Sequence, residues 1–270
     1  MRFENRVALV TGGSTGIGAG IVECFLREGG KVAFCGRDPD KIAQAQARFR
    51  QISRHVLGVQ CDVADSSQVK AMFRQVLETF GTLDILVNNA GMPRRVPADR
   101  DRYLAMWTNP GPKESLGITR NMSDEEWETS IRTNLNSVFY CCREALNIME
   151  DKGYGRIVNV ASSAGVSNRS PHSPNYSAGK GGVVAFSRSL AAEVAPAGVV
   201  VNSVSPGSVA TQYMSGFAAK NQDTAARMVM GIALNRMSTV EEQVAVISFL
   251  ASEECSYIIG QNINVNGGMF

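Results

Sequence analysis

Short apolar runs rich in Val and Ile recur along the chain at Arg6–Val10, Lys31–Cys35, His55–Gln60, Leu83–Val87, Arg156–Ala161, Val199–Val204 and Ile263–Val265. They are nearly continuous rather than alternating, the pattern of strands buried on both faces of a parallel sheet. Longer amphipathic stretches between them predict helices near Ile17–Glu28, Asp40–Gln51, Ser66–Thr79, Asp124–Glu150, Ser177–Ala195 and Glu241–Ser252. Asp65-Ser66 and Ser123-Asp124 supply N-caps with acids in the first turn. Seven strands separated by helices predict a doubly wound α/β sheet with helices on both faces. No repeat, low-complexity tract or Pro/Ser linker divides the 270 residues, so one domain is expected.

Composition narrows the functional classes. With 27 Lys+Arg against 25 Asp+Glu, the formal charge is +2. That balance excludes a charged disordered tail and gives no global field to attract nucleic acid. The longest apolar stretches, such as Val244–Ala251, are broken by Ser and too short to span a bilayer. Residues Val7–Val10 read as a strand rather than the core of a signal peptide, so a cytoplasmic protein without a membrane partner is expected. Cys24, Cys35, Cys61, Cys141, Cys142 and Cys255 form no C-x-x-C pair and have no His at ligand spacing. Buried free thiols in a reducing cytosol fit them better than disulfides or a metal site.

The first strand ends in Thr11-Gly12-Gly13-Ser14-Thr15-Gly16-Ile17-Gly18, followed by an apolar helix. Glycines 12, 16 and 18 let the backbone turn sharply and approach a pyrophosphate, while the helix N-terminus offers free N–H groups and a positive dipole end. A glycine-rich turn alone is weak; between a first strand and a first helix it points to a dinucleotide. Gly12, Ser14, Thr15, Gly16, Ile17 and Gly18 are therefore candidate cofactor contacts. The second strand runs into Gly36-Arg37-Asp38. Arg37 is placed to take the 2′-phosphate of NADP, with Gly36 leaving room; Asp38, at the spacing of a ribose-binding acid, supports NAD. The balance favours NADP.

Tyr176-Ser177-Ala178-Gly179-Lys180 puts a phenol and an ammonium four apart, on one helix face. An ammonium neighbour favours the phenolate, making proton exchange with an alcohol or carbonyl feasible near neutral pH. Ser162 and Ser163 follow the buried strand Gly155–Ala161, at the carboxyl end where a parallel sheet places its chemistry.

With these residues, the sequence resembles the short-chain dehydrogenase/reductase family over nearly its whole length. The ordered motifs are Thr11–Gly18, Asp62-Val63, Asn88-Asn89-Ala90-Gly91, Asn134, the serine, Tyr176 with Lys180, and Pro206-Gly207-Ser208-Val209-Ala210-Thr211. The resemblance implies a single-domain Rossmann fold and hydride transfer between a nicotinamide and a secondary alcohol or ketone. By it, Tyr176 is the general acid/base, Lys180 binds the nicotinamide ribose and lowers the phenol's pKa, Ser162 holds the substrate oxygen, and Asn134 holds a relay water. Asp62 and Val63 contact the adenine, Asn88, Ala90 and Gly91 line the ribose, and Pro206, Gly207, Val209 and Thr211 face the carboxamide. The C-terminal Asn266–Phe270 resembles the family's ending near a subunit interface, which implies a homotetramer.

Two features depart from the family pattern. Aligning the strand selects Ser162, whereas counting back from Tyr176 lands on Ser163; strand register is harder to shift than loop length, which favours Ser162. Met92–Met122 is longer than usual. It carries Arg94, Arg95, Arg100, Arg102, Lys113 and Arg120 against Asp99, Asp101 and Glu114, with Tyr103, Leu104, Met106 and Trp107 as apolar bulk. A lid over a sizeable, acidic substrate and a solvated or oligomer-contact excursion fit it equally. His172 reads as loop surface or a substrate contact, and Gly216–Leu234 as helix core or an apolar flap. Leu190, Ala191 and Val194 read as core or as a face paired with another subunit.

Two other activities compete. A non-catalytic cofactor-binding protein has no chemical need for Asn134, a serine, Tyr176 and Lys180 together. An enoyl reductase spaces its tyrosine and lysine further apart. Steroids, sugar alcohols, 3-oxoacyl thioesters and aromatic ketones all remain open as substrates, since fold does not fix them.

Overall fold

The computed structural model describes residues 1–91, 115–167, 170, 173–212, 229 and 231–270. Seven parallel strands form one sheet: β1 (Val7–Thr11), β2 (Lys31–Gly36), β3 (Val56–Gln60), β4 (Ile85–Asn88), β5 (Gly155–Val160), β6 (Val199–Pro206) and β7 (Asn262–Val265). Their order is β3-β2-β1-β4-β5-β6-β7. The strand order switches side between β1 and β4, all strands running parallel, and the cleft beyond their carboxyl ends at that switch is where such sheets bind ligands.

Helices α1 (Gly16–Arg27), α2 (Pro39–Arg50), α3 (Ser66–Phe80), α4 (Asp124–Ile131), α5 (Ser137–Lys152), α6 (Pro174–Val194) and α7 (Val240–Leu250) flank the sheet. Two apolar cores result. Val22, Phe25, Phe34, Phe49 and Ile247 fill one, and Met72, Phe73, Leu86, Met149 and Val183 the other. Every residue of β1, β4, β5 and β6 is buried, as continuous rather than alternating apolar runs require. Asp65 and Ser123 cap α3 and α4, the latter in a reciprocal capping box with Glu126. Leu190, Ala191 and Val194 lie in the second core.

Two boundaries differ from the sequence expectation. The helix at the serine–tyrosine connection begins at Pro174, three residues before Ser177, because proline suits the first helical position, where no N–H partner exists. The long helix expected over Asp124–Glu150 is interrupted by a π turn, Arg132–Asn136, whose i to i−5 pairing leaves no mark on apolar spacing.

At the amino ends of the strands, buried Asp84 acts as a clasp. Its carboxylate accepts the Val7 N–H at 2.7 Å and the Lys152 ammonium at 2.6 Å. Arg6 lies 3.7 Å away, is paired with Glu253, and stacks 4.1 Å over the Tyr154 ring. Beneath the opposite end runs a buried polar seam. Asn88 Nδ2 donates to Asn159 Oδ1 at 2.8 Å, and Asn159 Nδ2 donates to Ser187 Oγ at 2.9 Å, tying β4, β5 and α6 together.

Candidate active site

Between β1 and α1 the chain turns through Gly12 and Gly16, whose φ values of +64° and +57° favour glycine. A side-chain carbon on Gly18 would sit 2.2 Å from the Gly12 carbonyl oxygen, so α1 starts hard against the turn. Thr15, the N-cap of α1, makes no side-chain cap. The N–H groups of Gly16, Ile17 and Gly18 therefore remain at the positive end of the helix for a bound anion. Asn89 fixes the turn from the side: its Nδ2 donates to the carbonyls of Thr11 and Gly12 at 3.0 and 3.2 Å. Thr11 Oγ1 in return accepts the Asn89 and Ala90 N–H groups, both at 3.0 Å. A cleft of about 680 Å³ runs from this turn, with Ser14 and Thr15, past Gly36, Arg37, Lys41, Asp62 and Val63 to Ala90 and Gly91. This cradle fits a dinucleotide.

Asp38 has another task than the sequence reading allowed. Its carboxylate caps α2, accepting the Asp40 and Lys41 N–H groups at 3.1 and 3.2 Å, and its other oxygen lies 3.3 Å from Lys41 Nζ. The Lys41 N–H foremost holds the Asp38 carboxyl below its ordinary range. Asp38 is thus engaged by its own helix, and it lines the cleft together with Arg37 and Lys41.

At the far end of the cleft, α6 brings Tyr176 and Lys180 one turn apart. Lys180 is only 3% exposed, and its Nζ donates to the Val160 carbonyl at 2.8 Å. Burial pushes its ammonium down to about 8. Asn134 is wholly buried in the π turn, where its Nδ2 donates to the Ser130 carbonyl at 3.0 Å. That bond turns Oδ1 toward the cleft. A side-chain carbon on Gly91 would lie 3.1 Å from Asn134 Oδ1 and 3.2 Å from Lys180 Nζ, so both atoms face one small space at the end of β4.

Ser162 follows β5 and its Oγ accepts the Ala164 N–H at 3.2 Å, which leaves a hydroxyl proton to donate. A side-chain carbon on Gly165 would sit 2.5 Å from the Gly181 nitrogen. The serine turn therefore presses directly on α6, one residue past Lys180. Ser163 lies inside the short turn Ser163–Gly165 that Ser162 caps.

The sequence profile of the short chain dehydrogenases matches residues 6–222. The chain belongs to that family. It is an NAD(P)-dependent oxidoreductase acting on the CH–OH/C=O pair. It is 34% identical to the 3-oxoacyl-[acyl-carrier-protein] reductase of Escherichia coli (strain K12), over 100% of this chain and 99% of the relative. Among solved structures it resembles levodione reductase, at 26% identity and a TM-score of 0.86, covering 99% of this chain and 98% of that one. It also resembles a variant of actinorhodin polyketide ketoreductase crystallised with NADPH, at 30% identity and a TM-score of 0.85, over 98% and 97% of the two chains.

In this dehydrogenase, the carboxyl end of β6 completes the frame. Pro206 ends the strand, the Gly207 N–H donates to the Val265 carbonyl at 3.0 Å, and Val209 bridges to Ser238. Thr211 reaches over the phosphate turn, its Cγ2 3.5 Å from where a side-chain carbon on Gly16 would stand. The Asn88 side chain, expected to line the ribose, points instead into the buried seam, because two polar groups on adjacent central strands satisfy each other there. Lys41, Asn89 and Thr133 line the cleft without having been singled out. Lys41 had a signal, since it stands three residues after a capping Asp, and Asn89 had its place beside Asn88. Residues 92–114, His172 and the stretch 213–228 with Met230, which hold the lid and flap candidates, lie outside the described residues; Ile232 is buried. Among the described residues no helix is long and apolar enough to cross a membrane.

Proposed function

We propose that this dehydrogenase is an NADPH-dependent ketone reductase whose first substrate class is 3-oxoacyl thioesters. The observation that carries the reading is the convergence of Lys180 Nζ and Asn134 Oδ1 over Gly91, at one end of a cleft whose other end presents Arg37 and Lys41. The full-length likeness to 3-oxoacyl-[acyl-carrier-protein] reductases supports the substrate class, and the engaged Asp38 supports NADP over NAD.

Gly12, Ser14, Thr15, Gly16, Ile17 and Gly18 would hold the pyrophosphate, Arg37 and Lys41 the 2′-phosphate, and Asp62 and Val63 the adenine. Ala90 and Gly91 would line the ribose through backbone, and Pro206, Gly207, Val209 and Thr211 would meet the carboxamide. When bound, the nicotinamide supplies the hydride. Tyr176 gives its phenolic proton to the substrate oxygen in reduction and takes it back in oxidation. The Lys180 charge on the same helix face favours the phenolate left behind. Ser162 donates its hydroxyl to the substrate oxygen and orients the carbonyl. Asn134 Oδ1 accepts a water that returns a proton toward Tyr176 by way of Lys180. Assembly as a homotetramer belongs to the same reading, supported by the exposed Phe139 on α5 beside Phe186 on α6.

The test follows NADPH and NADH absorbance separately with acetoacetyl thioesters, cyclic diketones, sugars and aromatic ketones. Thioester turnover with NADPH that falls at least about a hundredfold in Tyr176→Phe is expected, the usual scale of a lost general acid. Undiminished turnover in that variant refutes the mechanism, and a preference for NADH refutes the cofactor assignment.

A further inference from the structure

The segment that follows β6 is held from behind by one buried amide that the reductase chemistry does not use. Gln243, on α7, is 0% exposed. Its Nε2 donates to Ser238 Oγ at 2.8 Å and to the Val265 carbonyl at 3.1 Å. Both acceptors are tied to Gly207–Ala210. The Val265 carbonyl also takes the Gly207 N–H at 3.0 Å. The Ser238 N–H donates to the Ser208 carbonyl at 3.0 Å, and its hydroxyl reaches the same carbonyl at 3.4 Å. The Ser238 carbonyl in turn accepts the Ala210 N–H at 2.8 Å. Val209 is thereby pinned on both sides, and Gln243 ties the two anchors, β7 and Ser238, to each other. The same helix is keyed to α1: a side-chain carbon on Gly20 would lie 2.7 Å from Val240 Cγ1 and 3.0 Å from Val244 Cγ2. One helix therefore meets both α1, whose amino end closes the glycine turn, and the segment at the end of β6.

We propose that Gln243 is a positioning residue for the nicotinamide half of the cofactor, given the carboxamide contacts proposed above for Pro206, Gly207, Val209 and Thr211. Being wholly buried, it meets no ligand itself; it fixes where those contacts stand relative to the glycine turn. Packing alone does not account for an amide at this place. Gln243 Oε1 has no hydrogen-bond partner among the described residues. A buried oxygen without a partner carries a cost that an apolar side chain of similar shape avoids. What the amide adds is the pair of bonds its nitrogen donates. Removing it strands no neighbour: the Val265 carbonyl keeps the Gly207 N–H, and Ser238 keeps its bonds to Ser208 and Ala210. Stability and positioning thus part company at this residue. An apolar substitution leaves the core filled but uncouples β7 from Ser238, so the segment between them is free to shift. Contacts to a reacting ring tolerate such displacement poorly, because orientation is what they supply.

Calorimetric titration of the full-length protein with NADPH, and separately with 2′,5′-ADP, tells the two halves of the cofactor apart, since 2′,5′-ADP carries the adenosine phosphates and no nicotinamide. In Gln243→Leu the affinity for NADPH should fall about tenfold, the worth of one lost hydrogen bond. Affinity for 2′,5′-ADP should stay within about twofold, and Tm within about 3 °C of the parent. Ser238→Ala, which removes the outer acceptor, should show the same split at about threefold. Unchanged NADPH affinity in Gln243→Leu overturns the proposal. An equal loss for both ligands with a fallen Tm also overturns it, because that is the mark of a merely structural residue. Should the leucine variant not fold, the split in Ser238→Ala decides by the same criteria. A parent protein that binds 2′,5′-ADP as tightly as NADPH overturns the carboxamide placement and the role of Gln243 with it. One that binds neither ligand overturns the cofactor placement as a whole.

Discussion

Replacing Lys180 by methionine isolates the energy stored by burying its ammonium in the unliganded fold. Burial takes that group from an ordinary 10.5 down to about 8. At about 1.36 kcal/mol per pKa unit, holding the charged form inside the fold costs about 3 kcal/mol below pH 8. Methionine fills a similar volume without the charge, but forfeits the hydrogen bond to the Val160 carbonyl, worth about 1 kcal/mol. The variant should therefore be more stable than the parent at pH 7 by about 2 kcal/mol, a Tm gain of about 5 °C for a chain of this size. The sign of the pH dependence follows from the direction of the shift. The folded parent binds fewer protons than the unfolded chain between pH 8 and 10.5, so its stability rises through that window while the variant's does not. Urea unfolding of both unliganded proteins at pH 7 and pH 10 measures this, with the gap closing near the upper value. A Lys180→Met protein that is less stable at pH 7, or a gap that is the same at both pH values, refutes the reasoning. The same variant should have lost turnover, showing that the site is held at the expense of the fold.

Removing the Asp84 carboxylate in Asp84→Ala strands a partly buried Lys152 and an unpaired Val7 N–H, and should lower stability by about 3 kcal/mol in denaturant titration with KM for NADPH unchanged. Arg37→Ala combined with Lys41→Ala should raise KM for NADPH at least about tenfold, the worth of one charge-assisted hydrogen bond, and leave KM for NADH unaltered. Gly165→Ala drives a methyl to within 2.5 Å of the Gly181 nitrogen and should destabilise by about 2 kcal/mol while lowering kcat, since Ser162 must move away from α6. Alcohol oxidation should rise with pH as the Tyr176 phenol ionises; a flat profile with chemistry rate-limiting counts against its role.

The sheet was legible because its strands are buried on both faces and so carry unbroken apolar runs, with errors of one or two residues at their ends. The π turn was not, because three- and four-residue spacing continues through it with little change. Its consequence, the capture of the Ser130 carbonyl by Asn134, depends on a backbone detail no side chain announces. Tyr176, Lys180 and the glycine turn stood out because their chemistry needs fixed local spacing. Asp38 was ambiguous because an acid at the end of β2 suits both a ribose and a helix N-cap; in the fold it caps α2 and also lines the cleft. Asn88 misled for a related reason: a polar residue on a central strand is equally a ligand contact or a rivet, and its partner Asn159 lies 71 positions away.

The clasp around Asp84 and the glycine turn stand at opposite ends of the same strands, about 13 Å apart along a four-step rise such as Val7 to Thr11. Perturbations separated by that much, with no shared partners, combine almost additively. Binding and robustness are thereby housed on separate floors of the molecule. A laboratory evolving the Arg37–Lys41 corner toward a different cofactor can offset its losses by reinforcing the contacts of Arg6, Lys152 and Glu253, without disturbing any of the residues proposed to meet the dinucleotide.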